Sequence, residues 1–163
     1  MTRFYKLLVS AGLVGVAGLV VGCATRQSPP ASVTTGYLLL KTPKVGISDQ
    51  AILEKRKDKI TLIVYKELKP YKVVITPSQI CLNGRCEGRA RILKKLGLEG
   101  YPPETLNLIL DQKPLPFLPP PRFTTDGFSQ RGEGITYKVI FDKLISLKDK
   151  KRKIVVIFRT FGK

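Results

Sequence analysis

The chain has 163 residues, with 29 lysines and arginines against 12 aspartates and glutamates, three cysteines and no histidine. A formal charge of +17 draws anionic surfaces and polymers over about a Debye length, roughly 8 Å at physiological salt. The missing histidine removes the usual general base near neutral pH and the commonest metal ligand, which weighs against most hydrolase and metalloenzyme chemistries.

Arg3 and Lys6 precede an apolar run over residues 7–21 that is interrupted by Gly12, Gly15 and Gly18. The run is shorter than the roughly 20 residues needed to span a bilayer. A positive start, an apolar middle and a small residue at the exit instead predict a cleaved secretion signal. It ends Val20-Val21-Gly22-Cys23, and in this the segment resembles a bacterial lipoprotein signal. The resemblance implies cleavage between Gly22 and Cys23, a diacylglycerol on the Cys23 sulfur and acylation of the new amino group. Two or more acyl chains anchor a protein stably, at ~0.8 kcal/mol per buried methylene. Ala24 stands where an aspartate would retain the protein in the inner membrane, so the resemblance points to the outer membrane of a cell envelope. It implies no cofactor beyond the covalent lipid.

Removing the first 22 of 163 residues leaves 141, and Arg3 and Lys6 leave with them, taking +17 to +15. That length suits one domain and hardly two. Residues 23–36, rich in Ser, Thr and Pro, predict a tether reaching at most about 45 Å. Residues 37–163 are expected to form a single basic α+β domain, a mainly antiparallel sheet of hairpins with two or three short helices.

In chain order, a first strand is expected at 37–41 and a short helix at 49–57, capped by Ser48 and carrying Ala51, Ile52 and Leu53. Ile60, Leu62 and Val64 alternate with Thr61, Ile63 and Tyr65, the period of a strand. The pattern repeats over 71–76 after a turn expected at Lys69-Pro70, and so short a connection makes the pair antiparallel. Next comes Cys81-Leu82-Asn83-Gly84-Arg85-Cys86. Asn-Gly favours a type I′ turn, where both central residues need positive φ. Cys81 and Cys86 then face each other at a non-hydrogen-bonded site, about 4.5 Å between Cα atoms, within reach of a disulfide. Four intervening residues with a turn among them differ from a redox dithiol, which keeps two at a helix start. The bond therefore predicts a structural staple contributing roughly 2 kcal/mol.

Residues 89–98 predict a basic amphipathic helix, and Pro102-Pro103-Glu104 opens another through proline and an acid in the first turn. Five prolines within 113–122 predict an extended connector, anchored inward by Phe117 and Leu118. The glycine-rich loop 124–134 brings Asp126, Ser129 and Glu133 into one stretch, an acid and base pair only if the two carboxylates converge. Alternation then predicts strands over 135–141, 143–148 and 153–161. Between the last two, Lys148, Lys150, Lys151, Arg152 and Lys153 surround the single acid Asp149. That turn and Lys55-Arg56-Lys57 are the candidate anion-binding clusters. The cysteine hairpin, Tyr101-Pro102-Pro103 with its Leu- and Ile-rich helix, and the basic C-terminal hairpin together resemble small bacterial lipoproteins of no assigned activity.

Three functions compete on this reading. The first is a non-enzymatic envelope lipoprotein that meets an anionic envelope component or an acidic protein. The second is a hydrolase or transferase built on Asp126 and Glu133. The third, capture of extracellular DNA, lacks the aromatic and basic stacking platform used by single-strand binders.

Overall fold

The computed structural model describes residues 31–162. The signal segment with Gly22, Cys23 and the tether up to residue 30 lie outside the described residues. Eleven strands form one sheet: β1 Ser32–Lys41, β2 Gly46–Lys55, β3 Ile60–Lys66, β4 Lys69–Ile75, β5 Gln79–Leu82, β6 Arg85–Gly88, β7 Arg122–Thr124, β8 Gly127–Gly132, β9 Ile135–Ile140, β10 Leu144–Asp149 and β11 Ile154–Thr160. Two short helices, α1 Arg89–Lys95 and α2 Thr105–Leu110, lie between β6 and β7. The expected α+β class is therefore corrected to a β-rich fold, because helix occupies only 7 and 6 residues. None of the helices among the described residues is long and apolar enough to cross a membrane.

The strand order is β6-β5-β4-β3-β2-β1-β11-β10-β9-β8-β7, antiparallel at every described pairing. Every neighbour but one is also a neighbour in sequence. The exception is β1 with β11, which joins the two ends of the described chain and fuses two meanders into one sheet. Gly36 sits at this seam, where an added Cβ would come within 2.3 Å of the Arg159 carbonyl oxygen. The close approach needs a residue without a side chain.

The expected helix at 49–57 is instead most of β2. Ala51 and Leu53 are buried, while Ser48 and Gln50 on the opposite face are exposed. The apolar triplet Ala51-Ile52-Leu53 satisfies a helical stripe and a strand equally, and pairing with β1 on one side and β3 on the other decides for the strand. The stretch 32–36, expected to belong to a tether, is likewise strand, since Ser32 already pairs with Lys55. The β3–β4 turn falls at Glu67-Leu68, with φ of 51° and 65°, and not at Lys69-Pro70. Pro70 pairs with Tyr65 of β3, beyond the stretch where β4 meets β5, so its missing N–H breaks no ladder there.

The cysteine hairpin forms as expected. Asn83 and Gly84 have φ of 48° and 84°, and Cys81 pairs with Cys86 in a disulfide whose Cα atoms are 3.9 Å apart.

Alternation turns Leu38, Leu53, Leu62, Ile75, Ile80, Phe128, Tyr137, Ile145 and Phe158 to one inner face, all within one apolar cluster. The 33-residue link from β6 to β7 covers that face with Ile92, Leu93, Leu98, Tyr101, Ile109, Leu110, Leu115 and Leu118, all buried. Leu115 takes the anchoring role expected of Phe117, which is 37 % exposed. The buried Gln130 side chain holds the proline segment: its Oε1 accepts from the Leu115 N–H at 2.8 Å, and its amide donates to the carbonyls of Leu115 at 3.1 Å and Pro119 at 2.9 Å.

Candidate anion-binding site

The first cationic cluster is built by the β2–β3 turn. The Arg56 N–H donates to the Lys59 carbonyl at 2.8 Å, so residues 56–59 reverse the chain and crowd three basic side chains around Asp58. Lys55 lies just before the turn, opposite Ile60, and strand alternation directs it inward. α2 approaches from the other side. It commits Ile109 and Leu110 to the core and leaves Asn107 and Asp111 at the border of a cavity.

That cavity has a volume of about 520 Å³. Lys55, Arg56, Lys57, Lys59, Arg89 and Lys113 line it, against only Asp58 and Asp111, over a floor of Ile60, Ile75 and Pro77. Asp111 is already engaged by Lys113 at 3.4 Å. The Arg89 guanidinium donates to the Thr76 carbonyl through Nη2 at 2.5 Å and Nε at 3.2 Å, which fixes the β4–β5 turn as the cavity wall. The buried Asn107 Oδ1 has no hydrogen-bond partner among the described residues.

Burial lowers the Lys55 ammonium below the ordinary lysine range. Asp111 and Asp142 oppose the shift, and Lys113 reinforces it. Asp142 belongs to the β9–β10 turn, four strands from β2, which would be roughly 19 Å away across a flat sheet. The Asp142 N–H nevertheless donates to the Gln112 Oε1 at 3.3 Å, between the Asp111 and Lys113 that line the Lys55 cavity, so the sheet wraps around its cover. A half-buried ammonium depressed by burial is a receptor for negative charge, because an incoming anion restores the counter-charge that water no longer supplies. The site offers several donors and a net positive field, and both of its carboxylates stand outnumbered.

The second expected cluster is divided by the fold. Lys148 projects from the outer face of β10, opposite Thr136 and Val155. Lys150, Lys151, Arg152 and Lys153 form the β10–β11 turn. Within it Arg152 is committed to holding the fold, since its guanidinium carbon lies 4.7 Å from the Tyr101 ring centroid and its Nη1 is 3.3 Å from Asp149 Oδ2. Asp149 is buried and accepts from the Tyr101 hydroxyl at 2.5 Å and the Arg152 N–H at 2.9 Å. Burial pushes its carboxyl up, and the hydrogen bonds from Tyr101 and Arg152 outweigh that, holding it below the ordinary aspartate value. Sequence reasoning counts Asp149 only as a dilution of positive charge. The signal that could have found its role is an acid placed three residues before an arginine at a strand end.

The carboxylates of the glycine-rich stretch do not converge. Asp126 precedes β8 and Glu133 follows it, both exposed, so an extended strand separates them by roughly 23 Å. Asp126 Oδ1 accepts from the Thr124 hydroxyl at 3.1 Å, and Ser129 lies mid-strand. The arrangement cannot serve as an acid and base pair. Cys81 and Cys86 are joined to each other, and Gly22 and Cys23 lie outside the described residues.

No family model matches the chain, and no characterised protein matches it in sequence.

Proposed function

We propose that this chain is a lipid-anchored envelope protein, acylated at Cys23 and held at the outer membrane, whose domain binds an anionic envelope component without catalysing a reaction on it. The observation that carries the reading is the position of the cationic cavity. Ala31 donates its N–H to the Lys55 carbonyl at 2.8 Å, so the chain arriving from Cys23 joins the sheet beside the ammonium groups of the β2–β3 turn. Cys23 is nine residues from Ser32, a reach of at most about 30 Å, which keeps that end of the domain close to its anchor and within range of charged headgroups or acidic partners.

Two measurements test this. The intact mass of the protein recovered from its own membrane should lack residues 1–22 and carry the diacylglycerol and acyl groups; a chain that retains its first residues and bears no lipid refutes the anchor. The detergent-solubilised protein should retain anionic material from envelope extract in a salt-sensitive manner, and Lys55→Gln with Lys59→Gln should weaken retention severalfold. Retention indifferent to salt would mean an apolar contact and refute the electrostatic site.

A further inference from the structure

Strand register assembles a second cationic surface on the outer face of the sheet, on the opposite side from the core. Across five strand positions, Arg131 pairs with Thr136, Thr136 with Lys148, Lys148 with Val155, and Val155 with Lys41. In the adjacent row, Arg122 pairs with Ser129, Ser129 with Lys138, and Lys138 with Ser146. Pairing keeps each row on one face. A cation therefore recurs at every second strand, about 9.6 Å apart, in two rows staggered by one strand and about 6.8 Å apart.

Lys41, Arg122, Arg131, Lys138 and Lys148 are all exposed, and none of the five makes an ion pair among the described residues. The outward positions of β7 to β11 and β1 include no aspartate or glutamate. Hydroxyls of Ser129, Thr136 and Ser146 stand between the cations. At the β7 edge the ladder begins in a groove of about 470 Å³ walled by Pro119 and Pro120 and lined by Arg122, Ser129 and Arg131. Like charges gathered without a counter-charge repel one another, and a bound polyanion relieves that repulsion.

We infer that this ladder is a binding surface for a linear acidic polysaccharide that runs across the strands from the β7 groove towards β1. The spacing carries the assignment of partner. Charges two strands apart with hydroxyls between them suit a polymer that bears one anionic group on alternate sugars and hydrogen-bonding hydroxyls on the rest. A nucleic acid is denser, about 3.4 Å per phosphate along each strand of a duplex, and the two rows hold no aromatic side chain on which bases could stack. A planar bilayer meets the convex side of a wrapped sheet over only a few strands. The inference does not depend on acylation of Cys23 or on the cavity at Lys55.

The test uses the full chain in non-ionic detergent with fluorescently labelled hyaluronate oligosaccharides, which carry a carboxylate on every second sugar, and with a single-stranded oligonucleotide of matched charge. Hyaluronate should bind more tightly than the oligonucleotide, with affinity falling as salt rises. The variant Arg131→Gln/Lys138→Gln/Lys148→Gln should lose about tenfold or more in affinity, the equivalent of about 1.4 kcal/mol. A control with the same change in charge, Lys66→Gln/Lys69→Gln/Lys94→Gln, should lose less than about threefold, since net charge alone acts weakly at this range. Equal losses in the two variants, tighter binding of the oligonucleotide, or no binding of hyaluronate would each overturn the inference. Thermal unfolding of both variants verifies that they fold, and Lys138→Gln alone replaces the triple variant if it does not.

Discussion

At the scale of single residues, the most consequential side chain is an acid that sequence patterning treats as incidental. Asp149 is buried with three hydrogen bonds converging on its carboxylate, from the Tyr101 hydroxyl and from the backbone and guanidinium of Arg152. A hydrogen bond to a charged group contributes about 1.5–3 kcal/mol. Asp149→Asn should lower unfolding free energy by roughly that amount at pH 7, measured by denaturant titration. The pH dependence has a definite sign. Because the folded carboxyl is held below its ordinary value, the unfolded chain takes up the proton first. The stabilisation is complete above the ordinary aspartate range near pH ~3.9 and is lost as pH falls through the folded value. The asparagine variant should therefore lose less stability between pH 5 and pH 2 than the parent. Leu68 makes the opposite case. It is 97 % exposed and holds a φ of 65°, a left-handed conformation that costs a non-glycine residue about 1–2 kcal/mol. Leu68→Gly should raise stability by about 0.5–1 kcal/mol, the strain relieved exceeding the added freedom of the unfolded chain, and a drop in melting temperature would count against that account.

At the scale of elements, what can be read in advance is whatever is local. The Cys81–Cys86 staple follows from Asn83-Gly84 and its flanks, because turn type fixes which residues face each other two positions away. β3 and β9 to β11 follow from strict alternation. β2 does not, since Ala51-Ile52-Leu53 fits two periods, and the pairing partners that choose between them lie on other strands. The start of β1 is hidden for a related reason: Ser32, Thr34 and Thr35 look like linker, and only their pairing with Leu53 and its neighbours makes them strand. The covering link illustrates the same limit. Its prolines announce an extended path but say nothing of what holds it, and the answer is Gln130, on a different element. Deleting that side chain by Gln130→Ala leaves the buried N–H of Leu115 without its partner, while the Leu115 carbonyl keeps the Leu118 N–H at 3.1 Å. A buried N–H left unpaired costs about 1–3 kcal/mol, so the variant should lose roughly that much and open residues 113–121 to proteolysis before the sheet unfolds. Cleavage no faster than in the parent would mean that Leu115 and Leu118 suffice as anchors. The link also guards the sheet's edges. β6 and β7 are only four and three residues long, and Pro119-Pro120-Pro121 runs directly into β7, both of which discourage edge-to-edge pairing with other chains.

At the scale of the whole molecule, charge and fold pull against each other, and their opposition gives a prediction. An excess of +17 over the full chain repels itself in the compact state. That repulsion is concentrated where sequence could not show it, because Lys41, Arg122, Arg131, Lys138 and Lys148 come from five different strands and meet only through register. Salt screens such repulsion, with a Debye length falling from about 30 Å at 0.01 M to about 3 Å at 1 M. The melting temperature of the free protein should therefore rise with sodium chloride, by several degrees over that range. A bound polyanion does the same by a different route. It stabilises the folded chain by about 2.7 kcal/mol at a hundredfold excess over its Kd, yet it does so only at low salt, because counterions compete for the same groups. Melting curves with and without hyaluronate should be well separated at about 0.01 M and converge by about 0.5 M, while the curve of the free protein climbs. A free protein whose stability is flat or falling with salt would show that the cations are already neutralised within the fold. The excess charge would then be a solubility feature of the surface, and neither the cavity at Lys55 nor the outer ladder would hold the unsatisfied attraction that a binding role needs.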